Sequence, residues 1–163
     1  MTEIQALLLI KSILESADIH GIEHILSEDC EYMSTGRGII GRNRNETVEF
    51  LSSMTESIKA DNVPVTCKVM HITDVYEEDA LFHEGRHGLT VSYESGDNYV
   101  YMIFVDVNDE GLVDRIVSSQ ENYSIEYDDL RFDSDEREYA FITPPTTVKD
   151  WLTALSMWLE TAN

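Results

Sequence analysis

The stretch from Val65 to Tyr123 constrains the fold most, because β-branched and aromatic residues dominate it between short turn signals. The turn signals are acidic or glycine-containing and lie near residues 78, 96 and 110. Between them apolar and polar side chains alternate, as they do in strands of an antiparallel sheet. The sequence therefore predicts four antiparallel strands, at about residues 65–76, 80–95, 98–107 and 112–124.

Helical patterns come before this region. Residues 3–16 favour a helix, and a second helix is predicted after Asp18, a suitable N-cap, because apolar residues then repeat at helical spacing. Residues 30–35 resemble a short strand, and Asn43 or Asn45 can cap a third helix. The predicted class is α+β, with three N-terminal helices packed on an antiparallel sheet. The apolar positions of the second and third helices are Ile19, Ile22, Ile25, Leu26, Val48, Leu51, Met54 and Ile58.

The last part of the chain has a different composition. Residues 126–138 are rich in acids and predict a solvated charged segment. After two prolines, residues 147–158 predict a C-terminal helix whose apolar face includes Trp151 and Trp158. The expected organisation is one folded domain over residues 1–125, with the segment 126–163 packed on it.

Charge and length narrow the classes of partner. The chain has 163 residues, with 32 acids against 11 lysines and arginines and a formal net charge of −21. Such a charge repels nucleic-acid phosphates and anionic membranes, so neither is an expected partner. No signal peptide or membrane span is apparent, and two cysteines without close spacing suit a reducing compartment. We expect a soluble cytoplasmic protein.

Residues 83–87, HEGRH, match the H-E-x-x-H signature of zinc metalloproteases. The motif needs a helix, because only there do residues four apart lie close enough to share one zinc. Gly85 and Gly88 disfavour a helix, and the alternation predicts a strand in which His83 and His87 share a face. A zinc metalloprotease is therefore a remote alternative, and neither metal ligands nor a cofactor is predicted.

Three segments carry a resemblance to a known family: ADIHGIEHILSEDCEYMS, GRGIIGRNRNETVEFLSSM and VNDEGLVDRI. In this order they resemble the nuclear-transport-factor-2-like superfamily, which includes SnoaL-like polyketide cyclases, ketosteroid isomerase and scytalone dehydratase. The resemblance implies a cystatin-like cone, in which helices pack on a curved sheet, with a pocket for a small, largely apolar molecule at its open end. It also aligns Ser34 with the carboxylate base of ketosteroid isomerase, and no acid stands there or at the adjoining residues.

Candidate pocket residues are histidines and tyrosines on the predicted strands. His71 and His83 form the best acid/base pair if they face one cavity, and either can instead be a hydrogen-bonded interior group. The remaining candidates for ligand contact are His87, Tyr32, Tyr93, Tyr101 and Gln120, each of which has a packing or surface alternative. Whether the chain is an enzyme stays open: the alternatives are acid/base chemistry of an isomerase, lyase or cyclase, and a non-catalytic binding or protein-association module.

Two further features concern interactions. Arg37, Arg42 and Arg44 lie beside the start of the third helix, where they can bind an anion or, as the sequence favours, pair with surface acids. The strand at 98–107 is apolar on both faces, which predicts that both faces of the sheet are covered. A homodimer through the sheet is the expected cover, and the C-terminal helix is the competing one.

Overall fold

A computed structural model describes residues 1–35, 37–62, 64–75, 83, 85–93, 99–118 and 130–134; of these, it describes 73–75, 93, 99, 100 and 130–134 by their backbone alone. The predicted C-terminal helix and Gln120 lie outside the described residues.

Two α-helices lie in the N-terminal part, α1 at Glu3–Ser16 and α2 at Arg44–Asp61. The Thr2 side chain caps α1 by accepting a hydrogen bond from the Gln5 amide at 3.3 Å, and the Thr2 amide donates one to Gln5 Oε1 at 2.6 Å. Asn43 caps α2 in the same way, accepting from the Glu46 amide at 2.9 Å. Both α-helices therefore begin where the sequence places a capping side chain.

The prediction of three N-terminal helices is confirmed only in part, because the second one is a single 3-10 turn at Ile22–His24. Gly21, at φ 87°, precedes this turn in a left-handed conformation that an α-helix cannot contain. Leu26, predicted on the helix, instead begins the first strand. Isoleucines three residues apart fit one tight turn as well as a helix, which is why their spacing was misleading.

The strands form one seven-stranded sheet in the order β2-β1-β6-β5-β4-β3-β7. Neighbouring strands are antiparallel except β1 and β6, which are parallel. The sheet is therefore mixed, and the prediction of an antiparallel sheet holds for every pair but that one. The strands are β1 Leu26–Ser34, β2 Gly38–Gly41, β3 Val65–Val75, β4 His87–Tyr93, β5 Tyr99–Val107, β6 Val113–Ser118 and β7 Leu130–Ser134.

β4 and β7 differ from the prediction. β4 was predicted to begin at residue 80 and begins at His87; His83, Gly85 and Arg86 are described and lie outside any strand. β7 lies within the acidic segment that was predicted to be solvated, and it pairs antiparallel with the second half of β3. Its alternating apolar residues, Leu130 and Phe132, were the available signal for a strand.

α1 packs across β3, β4 and β5 and supplies much of the core. Leu7, Ile10 and Leu14 are at most 1% exposed and belong to one cluster with strand residues of the facing side. Two carboxylates hold the helix to the sheet: Glu3 accepts from the His87 amide and Glu15 from the Cys67 amide, each at 3.0 Å. Both ends of α1 are thus tied to β3 and β4.

In the described part of the chain, no helix is both long and apolar enough to cross a bilayer.

The opposite face of the sheet is also buried within a single chain. Met102, Phe104 and Val117 alternate with the core residues and are 1%, 0% and 1% exposed. An ideal Cβ at Gly88 would lie 2.8 Å from both the Met102 and Phe104 side chains, so this face is tightly packed. The homodimer was expected as a cover for an exposed face, and this burial removes that reason; the dimer itself stays a prediction.

Candidate functional site

His71 and His87 lie directly opposite each other on β3 and β4. Their ring centroids are 6.0 Å apart and the rings are tilted by 50°. Strand alternation places both side chains on the helix-facing side, in line with the buried residues Val69 and Leu89. The two imidazoles therefore form a cross-strand pair at the end of an apolar surface.

The Nδ1 atom of His71 is the most unusual feature of this pair. It is buried and has no hydrogen-bond partner in the described structure. A buried polar atom without a partner costs about 1–3 kcal/mol, and native proteins leave few of them. Such an atom indicates a missing polar group, and a bound ligand can supply one.

The N-terminus of α1 closes one side of the histidine pair. Glu3 stands in the first turn of α1, where its charge is favourable to the helix dipole, and its Oε1 accepts from the His87 backbone amide at 3.0 Å. The Glu3 carboxylate thus contacts the backbone of His87 at this end of the sheet. We call His71, His87 and Glu3 the histidine site.

Within HEGRH, the four described residues, His83, Gly85, Arg86 and His87, are not in a helix. Gly85 has φ 84°, Arg86 follows it outside any element, and His87 begins β4. The prediction that this motif is not helical is confirmed, so the arrangement that a zinc metalloprotease needs is absent from these residues. Among the described residues, no three histidine, cysteine or acidic side chains cluster in a way that could hold a metal.

His83 does not take the place predicted for it. It lies before the Gly85 turn, where its carbonyl accepts a hydrogen bond from the Arg86 amide at 3.2 Å, and it is not on the face of β4. The acid/base pair of His71 and His83 stays a prediction, and the cross-strand neighbour of His71 in the structure is His87. The left-handed Gly85 is the physical reason, since it interrupts the alternation that was extended back to His83.

Arg86 has a role that no local sequence pattern indicated. Its side chain is only 6% exposed, and Nη2 donates to the Val105 carbonyl at 3.2 Å and to Asp106 Oδ1 at 3.0 Å. The guanidinium carbon also lies 5.4 Å from the centroid of the Phe104 ring. Arg86 is a structural anchor on the sheet face away from the helices.

Two of the predicted tyrosines lie deep in the core. Tyr32 is 1% exposed and its ring is 4.5 Å from that of Phe50. Tyr101 is 8% exposed, with its hydroxyl 4.0 Å from Met54 Sδ. Both pack in the interior, as their alternative reading expected. Tyr93 ends β4 and is described by its backbone alone.

Ser34, aligned with the base of ketosteroid isomerase, is the last residue of β1. It is 9% exposed, and its backbone pairs with Gly38 and Ser118. Serine is too weak a base for proton abstraction without an activating partner. This position therefore supplies no equivalent of the carboxylate.

The three arginines near α2 do not make the pairing that the sequence favoured. In the described structure, no hydrogen bond or ion pair involves the guanidinium of Arg37, Arg42 or Arg44. Arg37 and Arg42 are exposed and Arg44 is half-buried. They remain available for an anionic partner.

A separate groove lies between the end of α1 and the middle of α2. Its volume is about 530 Å³ and its lining is largely polar, with Asp18, Glu56 and Lys59 as charged members. None of the predicted site residues lines it.

The two cysteines are inert. Burial, with a smaller contribution from nearby carboxylates, raises the pKa of Cys30 and of Cys67 to about 12. The thiolate, which is the nucleophile, is thus scarce at neutral pH. Exposures of 0% and 1% show that both are buried in the core.

Searches with protein-family models and among curated proteins found no match. Three solved structures illustrate the fold likeness. An NTF2-like protein of unknown function from Cytophaga hutchinsonii is 11% identical, with 73% of this chain and 98% of that chain covered and a TM-score of 0.48. A de novo designed protein with a curved β-sheet is 14% identical, with coverages of 75% and 89% and a TM-score of 0.50. A protein with a cystatin-like fold from Silicibacter pomeroyi is 14% identical, with coverages of 93% and 83% and a TM-score of 0.47.

Further structural neighbours are described as SnoaL-like, ketosteroid isomerase-like and NTF2-like. At the level of fold, the designed protein with a TM-score of 0.50 agrees with what the resemblance implies, an α+β fold with a curved sheet. Identities of 11% and 14% concern the fold alone, and this fold supports many unrelated chemistries. Function must therefore be argued from the histidine site.

Proposed function

We propose that the chain binds a small, largely apolar organic molecule at the histidine site, with His71 as its main polar contact. The buried Nδ1 atom of His71, which lacks a partner in the described structure, is the observation that carries this proposal. A ligand hydroxyl, carbonyl or carboxyl group would satisfy that atom. The adjoining residues on the same strand face, Val69 and Leu89, are apolar, which suits the rest of such a molecule.

The spacing of the two rings supports a shared contact. Each ring nitrogen lies about 1 Å from its centroid, and a hydrogen bond adds about 2.8 Å, so one oxygen atom can reach two rings whose centroids are up to about 7.5 Å apart. His71 and His87 are 6.0 Å apart by this measure. One ligand oxygen can therefore contact both imidazoles.

Acid/base chemistry follows from the same arrangement. A neutral imidazole has one nitrogen that accepts a proton and one that donates, so one ring can remove a proton while the other donates one to the ligand oxygen. Proton transfers of that kind occur in isomerases, lyases and cyclases. The reaction would depend on His71 and His87, because Ser34 lacks a carboxylate.

The second candidate function is a non-catalytic binding or association module. It is supported by the filled interior: Leu7, Ile13, Leu89 and Ile103 are at most 1% exposed and share one cluster. In that case the histidine pair would be a structural element of the domain. A ligand that acts through His71 discriminates between the two candidates.

The experiment is a thermal-shift screen of the purified chain against small apolar acids, ketones and phenols. Any compound that raises the melting temperature is repeated with His71→Ala and with the control His24→Ala, which removes a histidine whose side chain is 72% exposed. We expect the shift to be lost in His71→Ala and kept in His24→Ala, with no effect of a chelator. A shift that survives His71→Ala, in a variant that still melts cooperatively, contradicts the proposal.

A further inference from the structure

β2 forms one edge of the sheet, and in the described structure it pairs only with β1. Its four residues, Gly38–Gly41, therefore present one row of backbone N–H and C=O groups without a strand beside them. An open edge of this kind can accept an extended segment of another chain.

The residues around β2 are positively charged in an otherwise acidic protein. Residues 32–45 contain Arg37, Arg42 and Arg44 and no aspartate or glutamate, although the chain has 32 acids and a net charge of −21. None of these three guanidinium groups has a partner in the described structure. A local cluster of unpaired guanidinium groups is complementary to carboxylates.

An apolar contact lies between the arginines. Ile39 is 50% exposed and is the large apolar side chain that the described structure leaves exposed. It stands two residues after Arg37 and three before Arg42. In an interface of this kind, the apolar contact contributes affinity and the flanking charges fix the orientation of the partner.

β2 is held firmly at the start of α2. An ideal Cβ at Gly41 would lie 2.8 Å from Thr47 Oγ1 and 3.0 Å from the Thr47 amide nitrogen, so the strand contacts the helix closely. Thr47 Oγ1 in turn donates to the Cys30 carbonyl on β1 at 2.9 Å. This packing fixes the edge in place before any partner binds, which lowers the entropic cost of binding.

From these observations we infer that the β2 edge binds an extended acidic segment of another protein, which adds to the sheet beside β2. Carboxylates of that segment pair with Arg37 and Arg42, and an apolar residue between them contacts Ile39. This surface is separate from the histidine site and does not depend on the function proposed above.

The test uses a fluorescein-labelled peptide, DEVTVED, and a control peptide, KKVTVKK, with fluorescence anisotropy as the readout. The protein variants are Arg37→Ser with Arg42→Ser, Ile39→Ser, and the control Lys68→Ser, which removes one exposed positive charge from β3. We expect DEVTVED to bind and KKVTVKK not to bind. The dissociation constant should rise about tenfold or more in the double arginine variant, less in Ile39→Ser, and less than about twofold in Lys68→Ser.

Hydrogen exchange of the amides at residues 38–41 should slow when DEVTVED binds, because they join a ladder. Absence of DEVTVED binding, or an equal loss in Lys68→Ser, overturns the inference. Displacement of the peptide by inorganic phosphate at equal negative charge identifies a small-anion site instead. Self-association of the wild type that disappears in the double variant identifies a second copy of the chain as the occupant, which also overturns it.

Discussion

Arg86→Ala is the substitution whose cost the structure defines best. It removes the hydrogen bonds from Nη2 to Asp106 and to the Val105 carbonyl, as well as the contact with the Phe104 ring. The bond to Asp106 contributes only about 1 kcal/mol, because that carboxylate is 44% exposed and screened. The hydrogen bond to the buried Val105 carbonyl contributes about 1 kcal/mol. Loss of the contact with the Phe104 ring, together with the cavity that the shorter side chain leaves, costs at least about 1 kcal/mol more.

The expected loss of unfolding free energy is therefore about 3 kcal/mol, which lowers the melting temperature of a domain this size by about 6 to 12 °C. Calorimetry and urea unfolding measure it. Arg86→Met, which retains apolar contact with Phe104, should lose about half as much. Lys68→Ala, at an exposed position of β3, should lose less than about 0.5 kcal/mol. If the melting temperature of Arg86→Ala equals that of Lys68→Ala, then Arg86 is not a structural anchor.

Three other predictions concern the core and its thiols. Gly88→Ala should destabilise by about 1 to 3 kcal/mol in urea unfolding, because its Cβ would lie 2.8 Å from the Phe104 ring; an unchanged midpoint contradicts that packing. Thr47→Val should cost about 1 to 2 kcal/mol, since it leaves the Cys30 carbonyl without its 2.9 Å donor, and a loss below about 0.5 kcal/mol argues against that bond. Cys30 and Cys67 should not react with a disulfide reagent at pH 8 until urea unfolds the chain. Burial raises the pKa of both thiols from 9.0 to about 12, so the unfolded state releases these protons at a lower pH than the folded state does. The contribution of the thiols to stability is therefore constant below pH 9 and falls as the pH rises from 9 to 12. Rapid labelling of the folded protein would contradict the burial.

Much of the fold was predictable because its local signals agree with its tertiary structure. α1 and α2 have capping side chains at Thr2 and Asn43, and β3 and β5 end within a residue of their predicted bounds. The prediction of the second helix was wrong because apolar spacing over one turn does not distinguish an α-helix from a 3-10 turn. Its stop signal was Gly21, which the spacing argument ignored.

The histidine site was predictable only in part. Periodicity placed His71 and His87 on strand faces, and their pairing depends on the register of β3 and β4, which no local pattern specifies. His83 was assigned to β4 because alternation was extended through Gly85, whose left-handed conformation breaks the strand. The role of Arg86 could not be predicted because its partners, Val105 and Asp106, lie on another strand.

The histidine site is tested most directly by ¹⁵N spectra of the imidazole rings, recorded with and without a saturating compound from the thermal-shift screen. The buried Nδ1 atom of His71 gains a hydrogen-bond partner if the ligand binds where we propose, so its resonance should shift strongly. The ring resonances of His24, whose side chain is 72% exposed, should not move. A bound ligand that leaves both rings of the pair, His71 and His87, unshifted would contradict the proposed site.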